Sequence, residues 1–571
     1  MNKEYKEYKA YKDIDNKEVV DKNFVTKALV SILALLLAFM LTLTSCGTSD
    51  TTSSAITTTS AEQGLDNAVS KSEMFTERDL ADDYDESAAE TITLSGTLAK
   101  SSANSGVTID GSTITISAEG VYVVSGTLSD GQIIVDSDDN AKVQIVLKDA
   151  DITSKTSAAI YVKSADKVFV TTAEGTENTL ANGGSFTADG DTNVDGAVYA
   201  KDDITFNGKG SLTITSPAGH GIVGNDDVKF GGGTYTITAS AHGIKANDSV
   251  RMAESDVAII SGDDKDGVHV SDDEAETSES FFYMADGTLT VNSKDDGIHA
   301  DAEVIIEGGD INVAESYEGI EGLSIKISGG STTVVATDDG LNAAGGNNST
   351  SDTTFSSDDW MGGKGGGFND GGSNGSIAIS GGEINITAGG DGVDSNGSVE
   401  ITGGSTIVQG PSSGDTSVLD YNSTATISGG TFIGTGGAGM AENFSSAEQG
   451  LIAVSVGNQS AGSSVTLKNS SGDVIAEVTP ELDYAVVYVS TEDMTTGESY
   501  TLTAGSYSEE ITLDDYIYST LTGGMGGKGA GLGGGDPRSG MNGQQGEMPE
   551  DGMQHGSGSE RKVSDIVYIG Y

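Results

Sequence analysis

The sequence has one cysteine, few prolines and far too few basic residues to balance its acidic ones. The single cysteine, Cys46, excludes a disulfide bond within the chain. Only 5 of 571 residues are proline, whereas 81 are glycine, and the glycines do not recur at every third position, which excludes collagen. Lys and Arg number 29 against 87 Asp and Glu, so the net charge is −58. Such a chain repels nucleic acid, and any acidic polymer that it binds needs a cation in between.

A long hydrophobic run occurs at residues 28–43, after two nearby lysines. It has the length of a signal peptide and is short for a membrane-spanning helix, which needs about 20 apolar residues. It ends in Leu-Thr-Ser-Cys at Cys46, which resembles a bacterial lipobox. These features predict a lipoprotein signal peptide at 1–45 and a lipid on Cys46. The lipid would anchor the protein to the extracellular face of the bacterial cell membrane; an uncleaved anchor helix is the alternative.

Two short motifs recur along the middle of the chain about 22 residues apart. One is a β-type run that ends in a glycine pair, as at 325–330 and 377–382. The other is an acidic residue or histidine followed by glycine and an aliphatic residue, as at 339–341 and 391–393. Both motifs show the same jump of 52 residues between these copies, which indicates an insertion of about 30 residues at 345–375.

This fixed spacing, with its alternating Val and Ile runs, predicts an all-β fold: a right-handed parallel β-helix, or solenoid, of about 22 residues per coil. Each glycine is expected to supply the positive φ that a corner needs. A β-sandwich with irregular turns is the alternative. The glycine pairs stop near the C-terminus, where a small antiparallel, β-sandwich-like module is predicted. The predicted order is signal peptide 1–45, Ser/Thr-rich tether 46–75, β-helix 76–445 with the insertion 345–375, small β module 446–520 and disordered Gly/Met-rich tail 521–571.

A series of motifs between residues 75 and 245 is similar to a known family. The motifs are Phe-Thr-Glu-Arg-Asp-Leu at 75–80, Ser-Gly-Thr-Leu-Ser-Asp-Gly-Gln-Ile at 125–133, Ala-Ala-Ile-Tyr-Val at 158–162 and Ala-Glu-Gly-Thr-Glu-Asn-Thr-Leu at 173–180. They resemble the β-helical, calcium-containing carbohydrate-binding domain proteins of anaerobic Gram-positive bacteria, over roughly residues 75–515. The resemblance implies a polysaccharide-lyase-like fold that binds plant cell-wall polymers, chiefly pectic acid and cellulose.

Carboxylates recur at one position of the repeat. Equivalent residues of successive coils lie ~4.8 Å apart, so like charges there destabilise each other or raise a pKa. Calcium relieves this repulsion, because it takes roughly 6–8 oxygen ligands. The predicted Ca²⁺ ligands are Asp266, Asp296, Glu318, Asp339 and Asp391 of this column, with Asp264, Asp295, Glu321, Asp338, Asn342 and Asp394 beside it. The alternative is that aspartate simply suits turns and faces water.

Four histidines fall near the same turns: His220, His242, His269 and His299. A zinc site is conceivable, but the surrounding oxygen ligands favour stacked turn histidines.

Three functions fit these features. The favoured one is a binding module in which calcium bridges protein carboxylates to those of a polysaccharide, while Trp360, Phe355 and Phe368 of the insertion stack on sugar rings. Trp360 could equally cap the solenoid. The second is a pectate lyase on the same fold, whose base would be Lys294 or Arg251; the sequence marks no basic cleft, which disfavours it. The third is a structural adhesin.

Overall fold

The computed structural model describes residues 70–103, 105–272, 280–343, 375–412, 414 and 416–521. Four predictions lie outside these residues: the signal peptide, the lipid on Cys46, sugar stacking by Trp360, Phe355 and Phe368, and, beyond residue 521, the disordered tail. Within the described part, no helix is long and apolar enough to cross a bilayer.

As predicted, the described chain is all-β apart from one helical turn, α1 (Lys71–Met74). The first strands are β1 (Glu90–Gly96), β2 (Leu98–Ser101), β3 (Val107–Asp110), β4 (Thr113–Ile116), β5 (Gly120–Leu128), β6 (Gln132–Asp136), β7 (Lys142–Ser154), β8 (Ile160–Ser164), β9 (Lys167–Thr172), β10 (Glu177–Asn182), β11 (Gly196–Ala200), β12 (Asp203–Gly208), β13 (Ser211–Ser216) and β14 (His220–Gly224). Next come β15 (Asp227–Phe230), β16 (Gly233–Ala239), β17 (Ile244–Ala246), β18 (Ser249–Met252), β19 (Ser255–Ile260), β20 (Val268–Val270), β21 (Phe281–Met284), β22 (Thr288–Asn292), β23 (Ile298–Ile306), β24 (Asp310–Ser316), β25 (Ile320–Ile327), β26 (Ser331–Ala336) and β27 (Leu341–Ala343). The last are β28 (Ser376–Ile379), β29 (Glu383–Ala388), β30 (Val393–Ser395), β31 (Ser398–Gln409), β32 (Leu419–Tyr421), β33 (Thr424–Gly436), β34 (Ser446–Ala447), β35 (Leu451–Gln459), β36 (Val465–Lys468), β37 (Val474–Val478), β38 (Tyr484–Ser490), β39 (Ser499–Ala504), β40 (Tyr507–Thr512) and β41 (Ile517–Ser519).

Most of these strands pair in parallel and form three ladders. The one that carries the candidate site, here called the site ladder, runs β8–β11–β14–β17–β20–β23–β25–β27–β30–β32. The second runs β9–β12–β15–β18–β21–β23–β25–β28–β31–β33, and the third β10–β13–β16–β19–β22–β24–β26–β29–β31–β33. Each strand therefore pairs with the equivalent strand of the next repeat. In the following, one repeat is called a rung.

The register shows where the insertion enters. In the site ladder Ile298 pairs with Ile320, and Ile320 with Leu341, at the spacing of the repeat. Leu341 then pairs with Val393, which is 52 residues further on. Ser324 with Ser376 and Ser331 with Glu383 show the same jump in the other two ladders. The insertion therefore leaves all three ladders in register.

The two glycine motifs serve different purposes. The second glycine of each pair has a positive φ, for example 82° at Gly309 and 77° at Gly330, as expected of corners. The glycine after the acidic residue or histidine does not, so that expectation was wrong for this motif. A Cβ at Gly319 would instead overlap Val334 Cγ1 and the carbonyl oxygen of Gly340. Close packing between rungs is what requires glycine there.

Aliphatic side chains from all three ladders form one continuous core. Inward positions such as Ile222, Ile244, Val268 and Ile298 are fully buried and follow one another along the site ladder. Near the C-terminus β38 pairs antiparallel with β33 and β35, and β36, β37, β39 and β40 form a separate antiparallel sheet over a second core. An antiparallel C-terminal sheet therefore exists, as the sequence analysis expected.

A segment before β1 lies against the outside of the ladders. We call residues 75–86 the N-terminal strap; of the tether predicted before it, only residues from 70 onward are described. At one end Phe75 is buried against Tyr283 of β21, with ring centroids 6.4 Å apart. At the other end Gln144 of β7 donates a hydrogen bond to a strap carbonyl at 3.3 Å. Between them the side chain of Asp79 is completely buried.

Candidate functional site

Two columns of polar side chains run along the site ladder. The residues of the first, the turn column, directly precede the glycines that pack closely between rungs, such as Gly319, except on the last rung. The backbone N–H of each of these packed glycines donates a hydrogen bond to the carbonyl of the turn-column residue one rung further on. It contains His220, His242, Asp266, Asp296, Glu318, Asp339, Asp391 and Ser417. The second, the face column, lies three residues later on each rung and is fixed by strand pairing. It contains Val223, Lys245, His269, His299, Glu321, Asn342, Asp394 and Asp420.

At one end of these columns four imidazole rings stack, the arrangement that the sequence favoured over zinc. The centroids of His220 and His242 are 5.2 Å apart, those of His242 and His269 4.4 Å, and those of His269 and His299 5.0 Å. The planes of neighbouring rings differ by 6 to 20°. Burial lowers the pKa of His220 to about 3 and also lowers that of His242. This end of the stack is therefore uncharged at neutral pH.

Asp266 is held by the stacked rings. Its Oδ2 lies 2.6 Å from His269 Nδ1 and 3.3 Å from His242 Nδ1, and its Oδ1 accepts the backbone N–H of Asp296 at 3.1 Å. Although burial raises the pKa of Asp266, these histidine contacts leave it below its ordinary value. Oxygens of Asp266, Asp295 and Asp296 also lie within 4.8 Å of one another. Three of the predicted ligands therefore converge here, one of them already hydrogen-bonded.

His299 supplies a positive charge of the protein's own. Its Nδ1 lies 2.5 Å from Glu321 Oε2 and 3.4 Å from Asp296 Oδ2, and its Nε2 lies 3.1 Å from Asp301 Oδ1. Although burial lowers the pKa of His299, these carboxylates raise it well above 6.5. The hydrogen bond from His299 likewise outweighs burial and leaves the pKa of Glu321 below its ordinary value. An imidazolium thus offsets part of the negative charge of these carboxylates, although burial and the repulsion of Asp266 and Glu321 still raise the pKa of Asp296 to about 8.

The rungs that follow are acidic. Burial, followed by the repulsion of Glu321, raises the pKa of Glu318 to about 8. Burial likewise raises the pKa of Asp339 to about 6 and those of Asp391 and Asp394 to about 7, and Asp420 adds its repulsion to all three. Carboxylates of neighbouring rungs thus destabilise one another in the charged form.

Asn342 lies among these carboxylates. Its Nδ2 donates to Glu318 Oε2 at 2.6 Å, while its Oδ1 is buried without a hydrogen-bond partner. Glu321 and Asp394 are its neighbours in the face column. A buried carbonyl oxygen without a donor is costly unless a cation or water binds it. Asn342 Oδ1 is therefore a ready ligand for a cation.

The other two predicted ligands lie at the edge of the columns. Asp338 is half-buried, and Tyr317 donates a hydrogen bond to it, which raises the pKa of Tyr317 to about 12. Asp264 is exposed in a turn with φ 54°. Like Glu318, Asp339, Asp391 and Asp394, neither belongs to a group of three or more histidine and carboxylate ligands that converge within 4.8 Å in the described residues.

The two basic residues considered for a lyase are both engaged elsewhere. Lys294 forms an exposed ion pair with Glu315. Arg251 lies on the second ladder, where its guanidinium contacts Asp227 at 3.0 Å and packs on the Phe281 ring at 5.0 Å. Neither is presented as a base beside the acidic rungs.

A pocket of about 370 Å³ opens where the histidine and carboxylate ends meet. Tyr317, which is 47% exposed, lies beside Glu318 at its edge. Sequence reasoning missed Tyr317 and Asp420. Asp420 escaped notice because its rung has Ser417 and Val418 where the others have an acidic residue or histidine and glycine, so the motif is absent. Only strand pairing places it beside Asp394.

A family model and a sequence relative agree on one family. A family model described as carbohydrate-binding domain-containing protein matches residues 110–359. A relative from Acetivibrio thermocellus with the same description is 30% identical over 211 residues, which are 37% of this chain and 73% of the relative. A solved structure of a polysaccharide lyase-like protein from C. thermocellum, as a gadolinium derivative, is 31% identical and covers 39% of this chain and 90% of its own, with a TM-score of 0.37.

Proposed function

Because the chain belongs to the family of carbohydrate-binding domain-containing proteins, we propose that it binds an acidic polysaccharide through calcium ions held on the acidic rungs of the site ladder. The polymer class that we propose is pectic acid. The lipobox-like sequence at Cys46 supports a location on the outer face of the bacterial cell membrane, where such polymers are met. The net charge of −58 makes a bridging cation necessary for any polyanion.

The body that presents these rungs is, in this proposal, a right-handed parallel β-helix. Three parallel ladders that advance by one repeat at a time support it, as does the continuous aliphatic core. In such a body the turn and face columns form a long strip along which an extended polymer can lie.

One observation carries the calcium proposal: buried carboxylates occupy successive rungs, and their pKa values are raised. The ordinary value for glutamate is 4.5, whereas Glu318 reaches about 8; Asp391 and Asp394 reach about 7 from 3.8. A divalent cation removes this repulsion and lets all of them ionise at neutral pH. Nearby, His299 supplies one positive charge on its own rung, whereas neither column has a basic side chain on the rungs beyond it, which favours a metal there.

The residues of the acidic rungs fit calcium chemically. Asp339, Asn342, Asp391 and Asp394 offer only oxygen, the ligand that calcium takes, and no sulfur or imidazole. Asn342 Oδ1 is the buried oxygen without a partner. Carboxylates of the polymer would complete the coordination, and the exposed ring of Tyr317 lies close enough to these rungs to contact a sugar.

The test is calorimetry of the full-length chain with polygalacturonate, in calcium and in EDTA. We expect binding in calcium only, and a loss of at least about tenfold in affinity for the double variant Asp391→Asn, Asp394→Asn. Asp310→Asn, an exposed carboxylate on the third ladder, is the matched control and should bind normally. An affinity that is the same in calcium and EDTA would refute the proposal. Ultraviolet detection of unsaturated uronate in the same samples tests the lyase alternative.

A further inference from the structure

A second pocket, here called the polar pocket, lies on the site ladder on the side away from the acidic rungs. Its volume is about 380 Å³, within the roughly 300–1,000 Å³ of small-ligand sites. Tyr199 of β11 and Val223 of β14, each 6% exposed, form its floor. Strand pairing places Tyr199, Val223 and Lys245 on consecutive rungs, with His269 next. The polar pocket therefore opens on the face column.

Polar side chains line this floor on two sides. On one side Lys201, Asn225 and Asn247 each follow their strand directly, and each backbone N–H donates to the rung before. Their side chains are thus spaced about one rung, ~4.8 Å, apart. On the other side Asn193 donates to Asp195 Oδ2 at 2.7 Å. The apolar floor is bordered by groups able to make hydrogen bonds.

The lining has no net charge, unlike the rest of this acidic chain. Its charged residues are two aspartates, Asp191 and Asp195, and two lysines, Lys201 and Lys245. Ammonium groups donate hydrogen bonds, carboxylates accept them, and asparagine amides do both. A sugar hydroxyl also does both, and the C–H face of a sugar ring suits an apolar floor. A neutral lining with this mixture fits an uncharged sugar better than an anion or a metal ion.

We propose that the polar pocket binds an uncharged sugar unit of the polysaccharide without calcium. This inference rests on the proposed function, because it adds a second point of contact on the same polymer. From Lys245 to Asp394 the face column advances five rungs, roughly 24 Å. A chain bound at both places must be extended, with uncharged units at the polar pocket and uronate units at the acidic rungs. The ligand class is therefore a mixed polysaccharide.

The test uses an uncharged hexasaccharide, cellohexaose, with the full-length chain in EDTA. We expect calorimetry to detect binding at millimolar or lower concentration, weakened at least about tenfold by the double variant Asn225→Ala, Asn247→Ala. Asn312→Ala, an exposed asparagine on the third ladder, is the matched control and should bind like the parent chain. If the double variant melts much lower than the parent, Lys201→Gln replaces it, with the same expected loss.

Two results would overturn this inference: no cellohexaose binding in EDTA, or equal affinity for the parent chain, the asparagine double variant and Lys201→Gln. Polygalacturonate binding in calcium tests the proposed function separately. If the chain binds polygalacturonate only with calcium and never binds cellohexaose, the proposed function stands and the inference about the polar pocket is wrong. A chain that binds cellohexaose in EDTA but polygalacturonate in neither condition loses the calcium proposal.

Discussion

Replacing Asp79 by asparagine should release the N-terminal strap from the ladders. Asp79 is completely buried, and its Oδ1 lies 2.7 Å from Lys167 Nζ of β9 and accepts a hydrogen bond from Thr205 of β12 at 2.8 Å. Its Oδ2 accepts the backbone N–H and the hydroxyl of Thr76 within the strap. Asparagine keeps the shape of the side chain but removes the charge, so Lys167 loses its closest counter-ion.

Two estimates of the unfolding free energy that is lost in Asp79→Asn agree in size. Breaking a buried ion pair by removing one partner costs about 3–5 kcal/mol, and the lower end applies because Asp203 lies 3.7 Å from Lys167 and retains part of the attraction. Separately, although burial raises the pKa of Asp79, Lys167 and the hydrogen bonds lower it from 3.8 to about 2, which corresponds to about 2.5 kcal/mol. We therefore expect Asp79→Asn to reduce the free energy of unfolding by about 3 kcal/mol at neutral pH.

The lowered pKa of Asp79 also sets how the difference in stability between the parent chain and Asp79→Asn depends on pH. A carboxyl with a lower pKa in the folded chain stabilises it fully above the unfolded pKa of 3.8, and this stabilisation is lost as the pH falls towards 2. The gap between the parent chain and Asp79→Asn should therefore be constant from neutral pH to about pH 5 and should close between about pH 4 and pH 2. A difference in stability that widens on acidification would contradict this reasoning.

The assay is urea unfolding followed by circular dichroism. Asp82→Asn is the matched control, because its partner Lys209 is 62% exposed and exposed ion pairs contribute at most about 1 kcal/mol. Combining Asp79→Asn with Lys167→Met should cost less than the sum of the two single changes, since the buried charge is then absent. Equal losses for Asp79→Asn and Asp82→Asn would refute the strap as a stabilising element.

Two further predictions concern the site ladder. Gly319→Ala should lower the free energy of unfolding by about 1–3 kcal/mol, because its Cβ would overlap Val334. Gly322→Ala should cost less, because the atom nearest to its Cβ would be 3.3 Å away. Equal losses for the two variants in urea unfolding would contradict this. In EDTA, the free energy of unfolding should fall by up to about 5 kcal/mol as the pH rises from about 4.5 to about 8, because between these values the folded chain keeps the Glu318 proton that the unfolded chain has lost. Glu318→Gln should flatten this pH profile, and an unchanged profile would show that Glu318 is not the cause.

The all-β fold with its parallel pairing and the acidic rungs could be predicted because they depend on a pattern in one dimension. Alternating Val and Ile runs, glycine pairs and packed glycines repeat at a nearly constant spacing, so the chain itself records which residues occupy equivalent positions. The insertion was visible for the same reason, since two motifs shift together by 52 residues between Asp339 and Asp391. Stacking of Glu318, Asp339 and Asp391 then follows from backbone pairing alone.

Where the turns vary in length, only the tertiary structure decided which groups meet. Val393 pairs with Leu419 at a spacing longer than the repeat, so the neighbours of Asp420 could not be counted along the chain. Asp79 meets Lys167 across 88 residues of sequence, a contact that no local pattern encodes. The charge of a buried group depends on its three-dimensional neighbours. The sequence therefore determined where carboxylates recur, and the fold decided which of them lie beside a histidine and which lie only beside one another.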